Sequence, residues 1–327
     1  MRRSIIATVI LLVVLAGAIF SLVRFSTTPS QLELGVTFST VYSYGLGLDP
    51  KETYLALLDD LQVKKVRLPI YWSEIETKDN EFDWELTDFL VSEAAKRNAE
   101  LVLVIGRKVP RWPECYVPDW AEGLTGAEAN QAVLDMEKMV IEHYKDNSAV
   151  VGWQVENEPF FPFGVCPSPD LELLSQEHAL VRSLDSKPII STVSGEMDPW
   201  FPIPHYTDYD VTGVSLYRVS FNSWLGLFPY PLNPFIYRLH SLAATTFWHK
   251  KIIVSELQAE PWFDKLISEL TDSERATAFT SKDLQNNVNF AAQAGFSEAY
   301  LWGAEWWYLE KEAGRPELWE AAKELFK

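Results

Sequence analysis

The stretch Val151-Gly152-Trp153-Gln154-Val155-Glu156-Asn157-Glu158-Pro159 reads as a buried strand that ends in an Asn-Glu-Pro turn. Further on, Lys251-Ile252-Ile253-Val254-Ser255-Glu256 reads as a second buried strand, and it too ends in a glutamate. Strands that are apolar on both faces belong to parallel sheets covered by helices on both sides. Working outward, strand-like runs recur at Leu34–Ser39, Lys65–Ile70, Leu101–Ile105, Val150–Val155, Pro188–Val193, Val211–Leu216, Ile252–Ser255 and Ala299–Trp302. Helical periodicity falls between them, at Lys51–Leu61, Trp84–Arg97 (with Asp83 as N-cap), Ala127–Tyr144, Leu171–Leu184, Phe235–Phe247, Ser273–Ala294 and Pro316–Phe326. Alternation of this kind implies an α/β fold with a parallel sheet. Eight such units in residues 32–327 predict a single-domain (β/α)8, or TIM, barrel. An open doubly wound sheet is the rival, but no Gly-rich phosphate loop follows the first strand.

The N-terminus is a separate object. Arg2 and Arg3 precede an apolar run from Ile5 to Val23, and Arg24 follows it. The run approaches the roughly 20 residues that cross a bilayer, and the arginines place its start in the cytoplasm. Residues 1–24 are therefore expected to be a membrane anchor, with 25–31 as a short tether and 32–327 as an extracytoplasmic barrel domain. A cleaved signal peptide is the alternative, because Ala16-Gly17-Ala18 fits a small-x-small cleavage site and would leave the protein secreted. The formal net charge of -18 argues against nucleic acid and against anionic lipid surfaces. Membrane contact is thus expected through the N-terminal helix only, and the barrel is expected to be a monomer.

In such barrels the active site forms at the carboxyl ends of the strands. Those ends here carry Arg67, Arg107, Arg111, Trp112, Asn157, Glu158, Glu196, Tyr217, Glu256, Trp302, Glu305 and Trp306. Carboxylates mixed with aromatic rings and arginines suit a sugar: rings stack on the apolar faces of pyranoses, and polar groups grip hydroxyls. A pair of carboxylates is the minimum for cleaving a glycosidic bond. Glu156 competes with Glu158 for the acid role, and Glu260 lies four residues past Glu256 as a loop candidate. Trp224 and Trp262 are further candidate platforms. The histidines His143, His178, His205, His240 and His249 show no metal-ligand spacing, and no cofactor motif is present. Neither a metal nor a cofactor is expected. Cys115 and Cys166 fall in neighbouring loops after the third and fourth strands, where an exported protein is expected to join them.

The chain resembles glycoside hydrolase clan A, the retaining (β/α)8 glycosidases that include families 5 and 42. The resemblance rests on Asn157-Glu158-Pro159, on Glu256, on Val66-Arg67-Leu68-Pro69, on Ser215-Leu216-Tyr217 and on Tyr300-Leu301-Trp302-Gly303. Ser215 stands where family 5 often carries a histidine, so the exact family is left unassigned. The resemblance implies a retaining β-glycoside hydrolase with Glu158 as acid/base and Glu256 as nucleophile. It implies that Arg67 lies near that nucleophile, that Tyr217 hydrogen-bonds it and that Trp302 floors the site; with Asn157, Trp112, Trp306 and Glu196 at the strand ends, these are the expected substrate-binding residues. A transglycosylase would use the same residues, and a non-catalytic glycan-binding barrel is the reading from another class. Sugar, linkage, and endo or exo action are not specified by these residues.

Overall fold

A computed structural model describes residues 8–10, 12–18, 31–196, 200, 208–222, 226–263 and 269–327. The strands in chain order are β1 (Glu33–Thr37), β2 (Lys65–Pro69), β3 (Glu100–Ile105), β4 (Val150–Val155), β5 (Ile189–Val193), β6 (Val211–Leu216), β7 (Val219–Asn222), β8 (Gly226–Pro229), β9 (Lys251–Gln258) and β10 (Glu298–Trp302). Eight of them close a parallel barrel in the order β1-β10-β9-β6-β5-β4-β3-β2. The expected TIM barrel is therefore the fold. β7 and β8 form a separate antiparallel hairpin within the Pro- and aromatic-rich segment after β6.

The barrel interior is layered. An apolar plug of Val102, Ile190, Ile253 and Tyr300 fills its lower part. Tyr300 fits because β1 offers Gly35 there: a Cβ on that glycine would stand 2.9 Å from the Tyr300 ring. Above the plug the inward residues turn polar, with Thr37, Arg67, Gln154, Thr192, Ser215 and Glu256 all buried. This switch from apolar to polar marks the end of the barrel where chemistry is placed.

Two expected elements differ. The helix expected over Ser273–Ala294 is two helices, Asp272–Ala278 and Ser281–Ala294. Thr280 restarts the chain through a capping box with Asp283, and Phe279 before it is extended. A helix at Ala304–Glu312 was not expected. It begins at Gly303, whose positive φ of 122° suits glycine, and a Cβ there would meet the Glu260 Cβ at 2.4 Å. Asp83 does cap the second long helix in part, accepting from the Glu85 N–H at 2.9 Å, although Trp84 holds the N-cap position.

Residues 8–10 and 12–18 are helical and exposed. Among the described residues no helix is long and apolar enough to cross a membrane. Most of the segment read as an anchor, with residues 25–30 of its tether and the flanking arginines, lies outside the described residues, as do Trp224 and His205.

Candidate active site

Arg67 is the centre of the polar layer. It is 1% exposed, and its guanidinium donates to three strands and to the turn after β4. Nε binds Gln154 Oε1 at 2.7 Å, and Nη2 binds Asn157 Oδ1 at 2.7 Å. Nη1 reaches Glu256 Oε1 at 3.1 Å and lies 3.4 Å from both Thr37 Oγ1 and the Ser255 carbonyl. A buried charge is stable only when paired and fully hydrogen-bonded, and Arg67 meets both conditions.

Glu256 is held from two sides. Arg67 covers one carboxylate oxygen, and the Tyr217 hydroxyl donates to the other at 3.0 Å. The pairing of β6 with β9 shifts register between Val214 and Ser215, so Ser215 faces Glu256. β9 shifts against β10 over the same stretch. Such a bulge re-aims side chains beside functional sites. β9 also runs two residues past Glu256, to Gln258.

Glu158 sits on the turn after β4 with a positive φ of 42°. Three neighbours fix this unusual backbone. Its N–H donates to Thr192 Oγ1 at 2.8 Å, its carbonyl accepts from Lys108 Nζ at 2.9 Å, and its carboxylate accepts from the Ser215 hydroxyl. Burial, and next the charge of Glu256, push the Glu158 carboxyl up to about 8. Both glutamates are nearly enclosed, Glu158 at 7% and Glu256 at 5% exposure.

Glu156 points elsewhere. Its carboxylate accepts the backbone N–H groups of Arg107 and Lys108 at 2.9 and 2.7 Å, which ties the loop after β3 to the turn after β4. Asn157 lies between the two glutamates. Its Oδ1 is occupied by Arg67 and by Gln154 Nε2 at 3.3 Å, so its amide N–H groups remain to donate.

The other expected residues divide. Glu196 accepts the Tyr217 N–H at 2.5 Å and the Tyr237 hydroxyl at 3.3 Å, and burial pushes it up to about 8. Trp112 is 64% exposed and meets Phe163 edge-on at 5.8 Å. Phe163 in turn meets Trp262 at 6.4 Å, and Trp262 meets Tyr217 at 6.0 Å, so an aromatic row runs along the mouth. Trp302 is at the mouth, but Arg111 lies 4.1 Å over its ring. Trp306 corrects an expectation: it is fully buried against Phe263, 5.5 Å away, because the Ala304–Glu312 helix turns it into the core. Glu305 is also wholly buried, accepting the Ser39 N–H at 2.5 Å. Cys115 and Cys166 are joined, with Cα atoms 5.3 Å apart. Among the described residues no group of three or more His, Cys, Asp or Glu is arranged to hold a metal.

Three residues escaped the sequence reading. Gln154 anchors Arg67 from inside β4. Buried Lys108 staples the Asn-Glu-Pro turn through the carbonyls of Glu158 and Phe161. Buried Glu114 lies 3.4 Å from Lys108 and is pushed up to about 8, first by burial, while the charges of Glu158 and Glu256 also bear on it. Gln154 had a signal, a polar residue at an inward position of a buried strand. The other two sit on an irregular loop and had none.

The structural neighbours of the chain are TIM-barrel glycoside hydrolases of clan A, at low sequence identity. A family 5, subfamily 18 enzyme from Streptomyces cattleya, solved with GlcNAc, matches at TM-score 0.55 and 13% identity, over 84% of this chain and 70% of that one. A β-galactosidase from Marinomonas ef1 matches at TM-score 0.57 and 13% identity, over 90% of this chain but only 59% of its own. Endo-glycoceramidase II from Rhodococcus sp. matches at TM-score 0.52 and 16% identity, over 84% and 73%. By sequence, no family model and no curated protein is similar to the chain. At such identities the likeness is one of fold.

Proposed function

We propose that the chain is a retaining β-glycoside hydrolase acting on a β-linked sugar by double displacement. The observation that carries the reading is the contrast between two neighbouring buried carboxyls. Glu158 is pushed up to about 8 and so holds a proton at neutral pH. Glu256 is gripped by a guanidinium on one carboxylate oxygen and a phenol on the other, which fix its orientation. A carboxyl that keeps its proton suits the acid role, and a carboxylate held in place on both oxygens suits the nucleophile.

In the first step the Glu256 carboxylate attacks the anomeric carbon. The glycosidic bond breaks, and its oxygen takes the Glu158 proton. In the second step Glu158, now a carboxylate, removes a proton from water. That water's oxygen bonds to the anomeric carbon, and Glu256 leaves. The free amide N–H of Asn157 donates to the sugar 2-hydroxyl, a contact that strengthens in the transition state. Arg67 and Tyr217 do not touch the proton in flight; they hold Glu256 in its attacking position.

Two variants test the assignment on aryl β-glycosides. Glu256→Gln is expected to lower kcat by several orders of magnitude with every leaving group. Glu158→Ala is expected to lose roughly 10²–10⁴-fold with poor leaving groups and less with good ones, because only the former need the proton. Azide is expected to restore Glu158→Ala and yield a β-glycosyl azide. Full activity in Glu256→Gln, or an inverted product, contradicts both roles.

The Cys115–Cys166 disulfide supports maturation in an oxidising compartment. On this reading the Ile5–Val23 run holds the barrel on the outer side of a membrane. Sedimentation with the membrane fraction is the check, and a mature N-terminus near Ile19 would mean cleavage instead.

A further inference from the structure

β3 and β9 lie four strands apart in the eight-stranded ring, on opposite sides of the barrel mouth. Their loops nevertheless meet. Arg111, after β3, forms an ion pair with Glu260, after β9, and its Nη2 lies 3.3 Å from Glu305, after β10. The guanidinium is stacked between two rings, 3.6 Å from Tyr42 after β1 and 4.1 Å from Trp302 at the end of β10. Tyr71, after β2, completes the seal, bonding the Ser39 side chain at 2.6 Å and the Pro110 carbonyl at 3.0 Å. Arg111 and Trp302 are 7% and 8% exposed. The ring face that a terminal tryptophan would offer to a sugar is occupied by a protein cation.

This bridge divides the mouth. On the β10–β1–β2 side Ser39, Tyr71, Trp302 and Glu305 are all buried, whereas Glu158 stands on the β4 side and Glu256 on the dividing line. A polysaccharide threading an open cleft needs room on both sides of the cleaved bond. Here one side is closed immediately beside Glu256: the charges of Arg111 and Glu260 both bear on Tyr217, the residue that bonds the Glu256 carboxylate.

We propose that the Arg111–Glu260–Glu305 bridge makes the site a blind pocket, so the enzyme is exo-acting and removes single terminal sugars. The proposal rests on the glycosidase reading and adds a boundary to it. Arg111 is a specificity-determining residue that takes no part in bond breaking.

The test follows the earliest products from reducing-end-labelled β-linked gluco-, manno- and galacto-oligosaccharides, with 4-nitrophenyl β-monosides alongside. The full chain is used. The expected result is stepwise loss of one sugar at a time, or cleavage of the aryl monosides alone. Mid-chain products at the earliest times overturn the blind pocket and leave the glycosidase reading standing. No cleavage of any of these compounds overturns both. Arg111→Ala combined with Glu260→Gln removes the bridge without leaving Glu260 an unpaired charge. In a folded double variant the single-sugar pattern is expected to be lost and mid-chain cuts to appear. If that variant does not fold, the product pattern of the unaltered protein still decides.

Discussion

Glu156 and Glu158 are two residues apart, both in positive-φ backbone, and they do opposite work. Glu156 is spent on the backbone of Arg107 and Lys108, so the neighbouring Glu158 is left facing the mouth. What Glu158 can do is then set by few contacts. Burial and Glu256 raise its carboxyl, while the Ser215 hydroxyl, Lys108 and Arg67 lower it. Activity that needs protonated Glu158 is therefore expected to fall as pH rises through about 8. Ser215 bonds the charged form best, so its removal should favour the protonated one. A neutral donor worth about 1 kcal/mol corresponds to roughly 0.7 of a pH unit. Ser215→Ala is expected to move the alkaline limb of kcat/KM upward by about that amount, and a pH–rate profile measures it. A limb that stays in place would mean another group controls it. Both catalytic candidates could be picked from the sequence because each follows a largely apolar, strand-like run. Lys108 and Glu114 were not, since their roles arise where an irregular loop happens to pass.

At the scale of elements, two helices pack a second set of carboxyls against the barrel. Glu137 on the helix Gly126–Tyr144 and Glu177 on the helix Leu171–Leu184 are fully buried beside Glu156. Burial first, and then the charge of Glu156 on Glu137 and those of Glu137 and Glu156 on Glu177, hold both far above the ordinary glutamate range. Such groups bind protons in the folded state that the unfolded chain would release. Their stabilisation is complete below the unfolded glutamate pKa of about 4.3 and is lost as pH rises toward the raised folded value. Glu137→Gln, a neutral isostere, is expected to melt several degrees above the unaltered protein at about pH 8, with the gap narrowing toward about pH 5. Equal gaps at both pH values, measured by thermal unfolding, would show that Glu137 is not the titrating group. Helical periodicity predicted both helices but not their junction, because it carries no information about which helices become neighbours. The misplacement of Trp306 has a similar origin. The residues after β10 read as a loop, and only the glycine geometry at Gly303 reveals the helix that buries that ring.

For the whole molecule, the barrel was legible because eight apolar runs at regular intervals have few other ways to be buried. The closure across its mouth was not, because the partners of Arg111 come from three separate segments far apart in sequence. The architecture gives each half of the chain one member of the reacting pair, and Arg67 binds Asn157 and Glu256 together. In the proposed double displacement Glu256 becomes bonded to the sugar. A 2,4-dinitrophenyl 2-deoxy-2-fluoro-β-glycoside, of the sugar type the enzyme prefers, tests it most directly. The fluorine slows both steps, while the good leaving group lets the first proceed. Mass spectrometry of peptides from the inactivated protein is expected to find one fluoroglycosyl group, on Glu256. An adduct on any other residue, or turnover of ordinary substrate to an inverted product with no adduct, would contradict the account.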